Sequence, residues 1–414
     1  MQRLPKFCPN DRCRYHHIER APAGTFVRYG RHHTAAFGAV QRFRCRSCRR
    51  TFSSQTLSID YYVKRPVDYR RLRRAMDECA GVRACARTLG ISANCVINRT
   101  MRAARAALWQ HARVLEHISL GEDLASDGFE SYAVSHYFPN NLHTLAGVDS
   151  QYVYAIDGVT IRRKGRMTDG QKRRRDELEQ RWRADRRGVE KSFARIVEQA
   201  VRLHAESARA RLTLYTDKKT DYMRACSDSA AVVGWRRLGR FIHRRISSRA
   251  ARTVDNPLFA VNYIDRELRK DLHEHTRETV CFARSQNLQM ERLAIYTAEH
   301  NAAKRYRINQ PAADTATHAS VAGVEAHTLA DIRRGLYRNR KFFTRTSLPE
   351  WAQRIWRRSY PTPLREAPEY RPEYLTVGIP YPGEWSTERR MKAAARAAGR
   401  AHSGDDGANS PDQR

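Results

Sequence analysis

Four cysteines lie within the first fifty residues as two close pairs: Cys8 and Cys13, with four residues between them, and Cys45 and Cys48, with two. A segment this short buries too little apolar surface to hold a fold alone, so thiols paired at turn spacing point to a tetrahedral metal ion as its centre. Four thiolates close the coordination sphere of Zn²⁺, which makes such a site structural and leaves no open position for chemistry. The 31 residues between the pairs have room for two or three short strands. Arg42-Phe43-Arg44 and Arg49-Arg50-Thr51-Phe52 predict aromatic rings against the metal turns and arginines facing outward. Residues 1–60 therefore read as a four-cysteine zinc ribbon. With that ligand set complete, His16, His17, His32 and His33 are expected at the surface. Cys79, Cys85, Cys95, Cys226 and Cys281 are expected to be small core residues.

The 414 residues carry 77 Lys and Arg against 44 Asp and Glu, a formal charge of +33. A chain so basic gains strongly from displacing the counterions condensed on nucleic-acid phosphates, so DNA or RNA is the first partner to consider; an anionic membrane surface is the weaker alternative. No apolar run approaches the roughly eighteen residues of a spanning helix, and Met1-Gln2-Arg3-Leu4-Pro5 has no apolar signal core. A soluble protein of the cytoplasm, associated with the nucleoid, is the expectation.

Between 61 and 117 the apolar spacing turns to three and four, through Leu72, Met76, Cys79 and Val82 and later Val96, Met101 and Leu108. The stretch from Gly81 to Val96 has helix-turn-helix spacing. Ala86 is small enough for close helix crossing, Gly90 accepts the positive φ that ends the first helix, and Ser92 is a good N-cap for the second. That arrangement aims Ala93, Asn94, Asn98 and Arg99 at a major groove, with Arg83 and Arg87 near the DNA backbone.

From 118 to 308, strand-like runs (142–148, 152–156, 212–216) alternate with helical ones (189–208, 265–272, 288–300), which predicts an α/β sheet with helices packed on it. Within it, residues 162–188 form a basic insertion with few apolar anchors, either a solvated helix or loop or a phosphate contact. Residues 309–414 are rich in proline and basic residues and read as an irregular extension, disordered from about 386. The whole is a multidomain α+β chain.

Acids in the third region stand where element ends would present them. Asp127 lies between strand-like residues, Asp217 ends the apolar run Leu212–Thr216, and Asp265 lies in the helical stretch 262–271. Phosphodiester chemistry needs oxygen ligands so placed, because two Mg²⁺ ions about 4 Å apart stabilise the attacking and leaving oxygens. Taken singly, an Asp at a strand end is more often a turn or cap residue.

The order of a four-cysteine ribbon, a helix-turn-helix and an Asp-rich α/β region resembles bacterial insertion-element transposases of the DDE, RNase-H-like type. So does Arg277-Glu278-Thr279-Val280-Cys281-Phe282-Ala283-Arg284-Ser285, which looks like the Arg-x-Thr-x-x-Phe signature that follows the catalytic helix in that family. The resemblance spans roughly residues 5 to 308. It implies an RNase-H-like catalytic domain at 118–308 in which Asp127 and Asp217 are the first two catalytic acids and magnesium ligands. The third departs from pattern: Asn262 stands where some relatives have Glu. Asp265, three residues on along the same face, is the better candidate than Glu267, which points away, or Asp271, more than two turns from Asn262. The family's chemistry is strand cleavage at element ends and transfer of the freed 3′ hydroxyl to target DNA, carried out on double-stranded DNA by a dimer or higher oligomer. Lys218, Lys219, Arg266, Arg269 and Lys270 are candidate phosphate contacts. His243, His273 and His275 are conceivable general bases but fit packing better, as do Trp182, Trp235, Trp351 and Trp356. The competing readings are a non-catalytic DNA-binding regulator and a nuclease of the same fold.

Overall fold

The computed structural model describes residues 4–276, 279, 281–367, 369, 371 and 375–376. Its first sheet is antiparallel, made of β1 (Phe26–Thr34), β2 (Gly38–Cys45) and β3 (Thr51–Ser53) in that order. Phe26, Phe43 and Phe52 pack with Cys8, Cys13 and Cys45 into its small core. Phe43 and Phe52 are the rings that the sequence places against the metal turns; Phe26 joins them.

Helices α1 (Tyr69–Asp77), α2 (Val82–Leu89) and α3 (Ala93–Leu115) follow. Leu72, Met76, Cys85, Ala86 and Val96 form their shared core, with Leu89 and Ile91 against it. Gly90 takes φ 61°, where a side chain would be strained, and ends α2. The Ser92 side chain accepts from the Cys95 N–H at 3.2 Å and starts α3. Helix α3 then runs on for 23 residues, and its second half enters the main core with Leu108, Ala112 and Val114.

That core surrounds a five-stranded sheet. Strands β4 (Leu124–Ala133), β5 (Ser135–Gly147) and β6 (Val153–Thr160) form an antiparallel meander; β7 (Leu212–Thr216) joins β4 in parallel, and β8 (Phe241–Arg245) joins β7 in parallel. The spatial order is β6-β5-β4-β7-β8. Residues 138–147 of β5 are all buried, as a strand covered on both faces requires. The helices between and after these strands are α4 (Asp169–Arg181), α5 (Gly188–Ala205), α6 (Thr220–Asp228), α7 (Ala230–Arg237), α8 (Phe259–Asp271) and α9 (Gln286–Ala302). Helix α9 packs along α3, which joins the helical unit to the sheet. Helix α4 buries only Leu178 and carries exposed ion pairs such as Arg174–Glu177, so the basic insertion is a solvated helix.

The stretch after 309 is not the irregular extension its prolines suggest. It forms α10 (His318–Val321), α11 (Ala326–Arg333) and α12 (Glu350–Trp356), and Trp351, Trp356 and Tyr360 are buried in the main core. Asp157 on β6, fully buried, holds this segment in place. Tyr360 Oη donates to it at 2.5 Å, Arg354 Nη1 at 3.1 Å, and Arg195 Nε from α5 at 2.7 Å. A boundary at 308 therefore cuts through one core. The tail from about 386 lies outside the described residues. Among the described residues no helix is long and apolar enough to cross a membrane.

Candidate functional site

The four thiols of the ribbon meet. Cys8, Cys13, Cys45 and Cys48 place their sulfurs within 4.8 Å of one another, with Cys8 Sγ 3.7 Å from Cys48 Sγ and Cys13 Sγ 3.8 Å from Cys45 Sγ. Those separations are far too long for disulfides. They match the edge of a tetrahedron built on Zn–S bonds of about 2.3 Å, which is about 3.8 Å. Burial and the neighbouring sulfurs push the Cys8 and Cys45 thiols up, so a cation is what would keep these groups as thiolates together. The cluster fits a structural zinc ion in a ribbon.

His16, expected at the surface, is buried. Its Nδ1 lies 2.7 Å from the carbonyl oxygen of Cys8 and its Nε2 2.6 Å from Thr344 Oγ1. Arg345 stacks on Phe7 and donates to the His16 carbonyl. The metal turn is thus docked on a segment more than three hundred residues away. His17, His32 and His33 are exposed, as expected. Of the other cysteines only Cys85 and Cys226 are core residues; Cys95 is half-buried, and Cys281 and Cys79, whose thiol donates to the Lys270 carbonyl, are exposed.

Of the residues aimed at DNA, Arg83, Arg87 and Asn94 are exposed and Ala93 and Asn98 half-buried. Arg99 is turned inward: buried, it donates to the Arg65 carbonyl at 2.8 Å and to Asn98 Oδ1, which leaves it no reach toward a groove. Asn94 and Asn98 line a cleft of about 380 Å³ whose other wall is Ser285, Arg358 and Arg365.

The acids come from three elements. In the parallel pairing of β4 with β7, Leu124 lies opposite Leu214 and Ala125 opposite Tyr215; two residues further along, the same register sets Asp127 beside Asp217. Helix α8, carrying Asp265, packs against β4 and β5. Burial first, then the Asp217 charge, push the Asp127 carboxyl up to about 6. Burial and the Asp127 charge push Asp265 well above the ordinary carboxylate range, and its Oδ1 is buried with no hydrogen-bond partner. Their oxygens stand wider apart than the ribbon sulfurs: among the described residues only the four cysteines form a group of three or more ligands all within 4.8 Å.

Two features of this pocket are invisible to spacing. Tyr222, buried at the start of α6, feels the charges of all three acids, and its hydroxyl has no partner. A Cβ on Gly128 would fall 2.6 Å from that hydroxyl and 2.4 Å from Asn141 Oδ1, whose amide is also unpartnered, so only glycine fits beside Asp127. Lys219 and the exposed Arg252 act on Asp127, and Arg269 and Arg252 on Asp265, as opposing charges. Arg252 lies in a loop with no motif to flag it. Lys218 is exposed beside Asp217. Lys270 instead pairs with Glu267 at 2.7 Å, and Arg266 lies over Tyr263. Glu267 is committed to Lys270 and Lys304, and Asp271 to Tyr296 and Lys304, so neither rivals Asp265.

The histidines and tryptophans are packing residues. His243 meets Thr216 Oγ1 at 2.8 Å, His275 is buried against Ser131, and His273 pairs with Glu274. Trp351 and Trp356 are core, Trp182 edges onto Phe138 and Trp235 onto His204. Of the Arg277–Ser285 motif, Arg277, Glu278 and Val280 lie outside the described residues. In the rest, Phe282 stacks edge-on with Tyr132, Ala283 bridges Ala133 on β4, and Ser285 caps α9.

No family model and no curated protein matches this chain.

The raised Asp127 carboxyl carries a stability consequence. A carboxyl moved from 3.8 to about 6 opposes folding once ionised. The penalty is absent below the unfolded value, grows as pH rises between the two, and is complete above the folded one. Allowing for partial exposure, it amounts to about 1–3 kcal/mol. Asp127→Asn is expected to raise the melting temperature at pH 8 without added divalent ions, and to give no gain at pH 4. Thermal scans at the two pH values check this; equal destabilisation at both would show that the acid is structural.

Proposed function

We propose that the protein is a DDE-type DNA transposase, a magnesium-dependent enzyme that binds insertion-element ends and catalyses strand cleavage and strand transfer. The observation that carries this reading is the acid pocket: three carboxylates from β4, the end of β7 and α8, with Asp217 acting on Asp127 and Asp127 on Asp265, and unpartnered buried polar atoms beside them. Such a pocket is unfavourable unless a cation completes it. The strand order, a three-stranded antiparallel meander with two parallel strands added beside its first strand, supports an RNase-H-like fold with acids on the first strand and after the fourth.

Asp127, Asp217 and Asp265 are the residues that would hold the ions. Two bound Mg²⁺ supply charge stabilisation for the attacking and leaving oxygens of an in-line phosphodiester exchange. Lys219, Arg252 and Arg269 hold the scissile phosphate against the acids, and the Tyr222 hydroxyl, which no protein group answers, donates to that phosphate. The α2–α3 pair reads as a helix-turn-helix that meets duplex DNA through Arg83, Arg87, Ala93, Asn94 and Asn98. Because α3 continues into the main core, end recognition and the acid site are rigidly linked. Pairing two ends calls for a dimer or larger assembly.

Incubation with Mg²⁺ and a duplex bearing the element's terminal sequence should yield strands joined to target DNA. Hydrolysed fragments without joining would identify a nuclease instead, and tight binding without any product a regulator.

A further inference from the structure

The insertion between β6 and α5 is more than a solvated helix. It walls a cleft of about 910 Å³ whose floor is Glu130, Tyr132 and Pro139 of the sheet and whose sides carry Arg162, Arg163, Lys164, Arg183, Arg186 and Lys219. Lys219 lines the cleft and also acts on Asp127 in the acid pocket, so the cleft lies beside the acid site. Among the cleft cations Arg162 is neutralised by Glu179 at 2.7 Å. Lys164 and Arg186 are exposed, and the described ion pairs include neither of them nor Arg183. Arg163 lies 4.9 Å over the Tyr137 ring, and its Nη1 is buried with no hydrogen-bond partner. A buried guanidinium donor left unmade is costly, and a phosphate oxygen is the acceptor whose charge suits it.

The size of the cleft selects among nucleic acids. A cleft of about 910 Å³ is too small to enclose a duplex, whose major groove alone is about 12 Å wide, so an unpaired strand is the form of nucleic acid it suits. A groove whose six Lys and Arg outnumber the acids Glu130, Glu179, Asp185 and Asp221, with a tyrosine in its lining, has the chemistry that holds unpaired nucleotides, by phosphate contact and by stacking.

We propose that this cleft is a binding channel for a single DNA strand, which receives the unpaired segment leading away from the acid pocket. The proposal deepens the transposase reading and rests on it for the identity of the strand as DNA. Because binding needs no catalysis, the two can fail separately.

The test is fluorescence anisotropy of the full chain with a short labelled single-stranded DNA of mixed sequence, over a salt series without added divalent ions. Replacing Lys164, Arg183 and Arg186 together with Ala should weaken binding tenfold or more and flatten the salt slope by about 2, from about 0.7 per lost phosphate contact. Affinity for a blunt duplex should stay within twofold. A control losing the same charge elsewhere, Arg113→Ala with Arg202→Ala and Arg334→Ala, should leave single-strand binding near that of the parent. Lys164→Glu alone, melting as the parent does, should show the loss in milder form and guards against misfolding of the triple variant. Unchanged single-strand affinity, an equal loss for duplex, or an equal loss in the control would overturn the channel, as would tenfold tighter binding of RNA of the same sequence. If strand transfer fails in every assay while the selective loss of single-strand binding persists, the catalytic reading falls and the channel stands.

Discussion

Asp217→Asn is expected to reduce strand transfer by about a hundred- to a thousandfold, the scale of removing one preorganised electrostatic partner of a transition state, while duplex binding stays within twofold. The substitution is nearly isosteric. Asp217 Oδ1 accepts from the Lys219 N–H at 2.9 Å, and an asparagine oxygen keeps that bond, so the turn between β7 and α6 retains its shape. What disappears is one of three charges. Removing it also relieves Asp127, whose carboxyl is raised in part by Asp217. The surface that would read DNA lies on α2 and the start of α3, on other elements. Strand-transfer rates and anisotropy on one end-bearing duplex separate the two effects. Activity within tenfold of the parent would remove Asp217 from the chemistry; parallel loss of binding and activity would mean that the variant had damaged the fold.

The second large effect concerns the ribbon. Its own core is three phenylalanines and the cysteines, too little apolar surface to balance the entropy of some fifty ordered residues. Structural zinc contributes on the order of 10–16 kcal/mol in comparable small domains, and an ion held by the four thiols would make the difference between a folded and an unfolded ribbon. Stripping the metal with a strong chelator, or making Cys45→Ser, should release one zinc per chain and render residues up to about 60 sensitive to protease. The body should persist. No tryptophan precedes residue 60, so tryptophan fluorescence should change little while proteolysis proceeds. Duplex affinity should also fall, since the ribbon carries a dense set of arginines. A ribbon still protease-resistant after quantitative loss of metal, or a protein purified without zinc, would refute the assignment.

Residue spacing made the metal turns legible because two thiols on one turn need only local chain geometry to converge. The same holds for Gly90 and Ser92, whose positions at a helix end and a helix start were readable before any packing was known. Asp217 stood out for a similar reason, as the acid closing a five-residue apolar strand. Asp265 was visible only through a resemblance and helical phase, and Tyr222, Asn141 and Arg252 carried no signal at all. Their part in the pocket depends on which strands lie side by side, and no periodicity encodes that.

Arg99 and His16 failed as surface residues for a related reason. A polar side chain is buried when a distant backbone group or hydroxyl answers it, and the Arg65 carbonyl and Thr344 are such partners. The C-terminal stretch repeats this on a larger scale. Its prolines and charges described a tail, yet Tyr360 and Arg354 reach Asp157, some two hundred residues earlier, and bring two tryptophans into the core. By itself the sequence determined the two thiol pairs, the helix caps and the excess of positive charge, all of which follow from neighbours along the chain. Tertiary structure alone decided which acids share a pocket, which arginines face solvent and where the last helices pack, because those depend on burial and charge pairing between segments that meet only after folding.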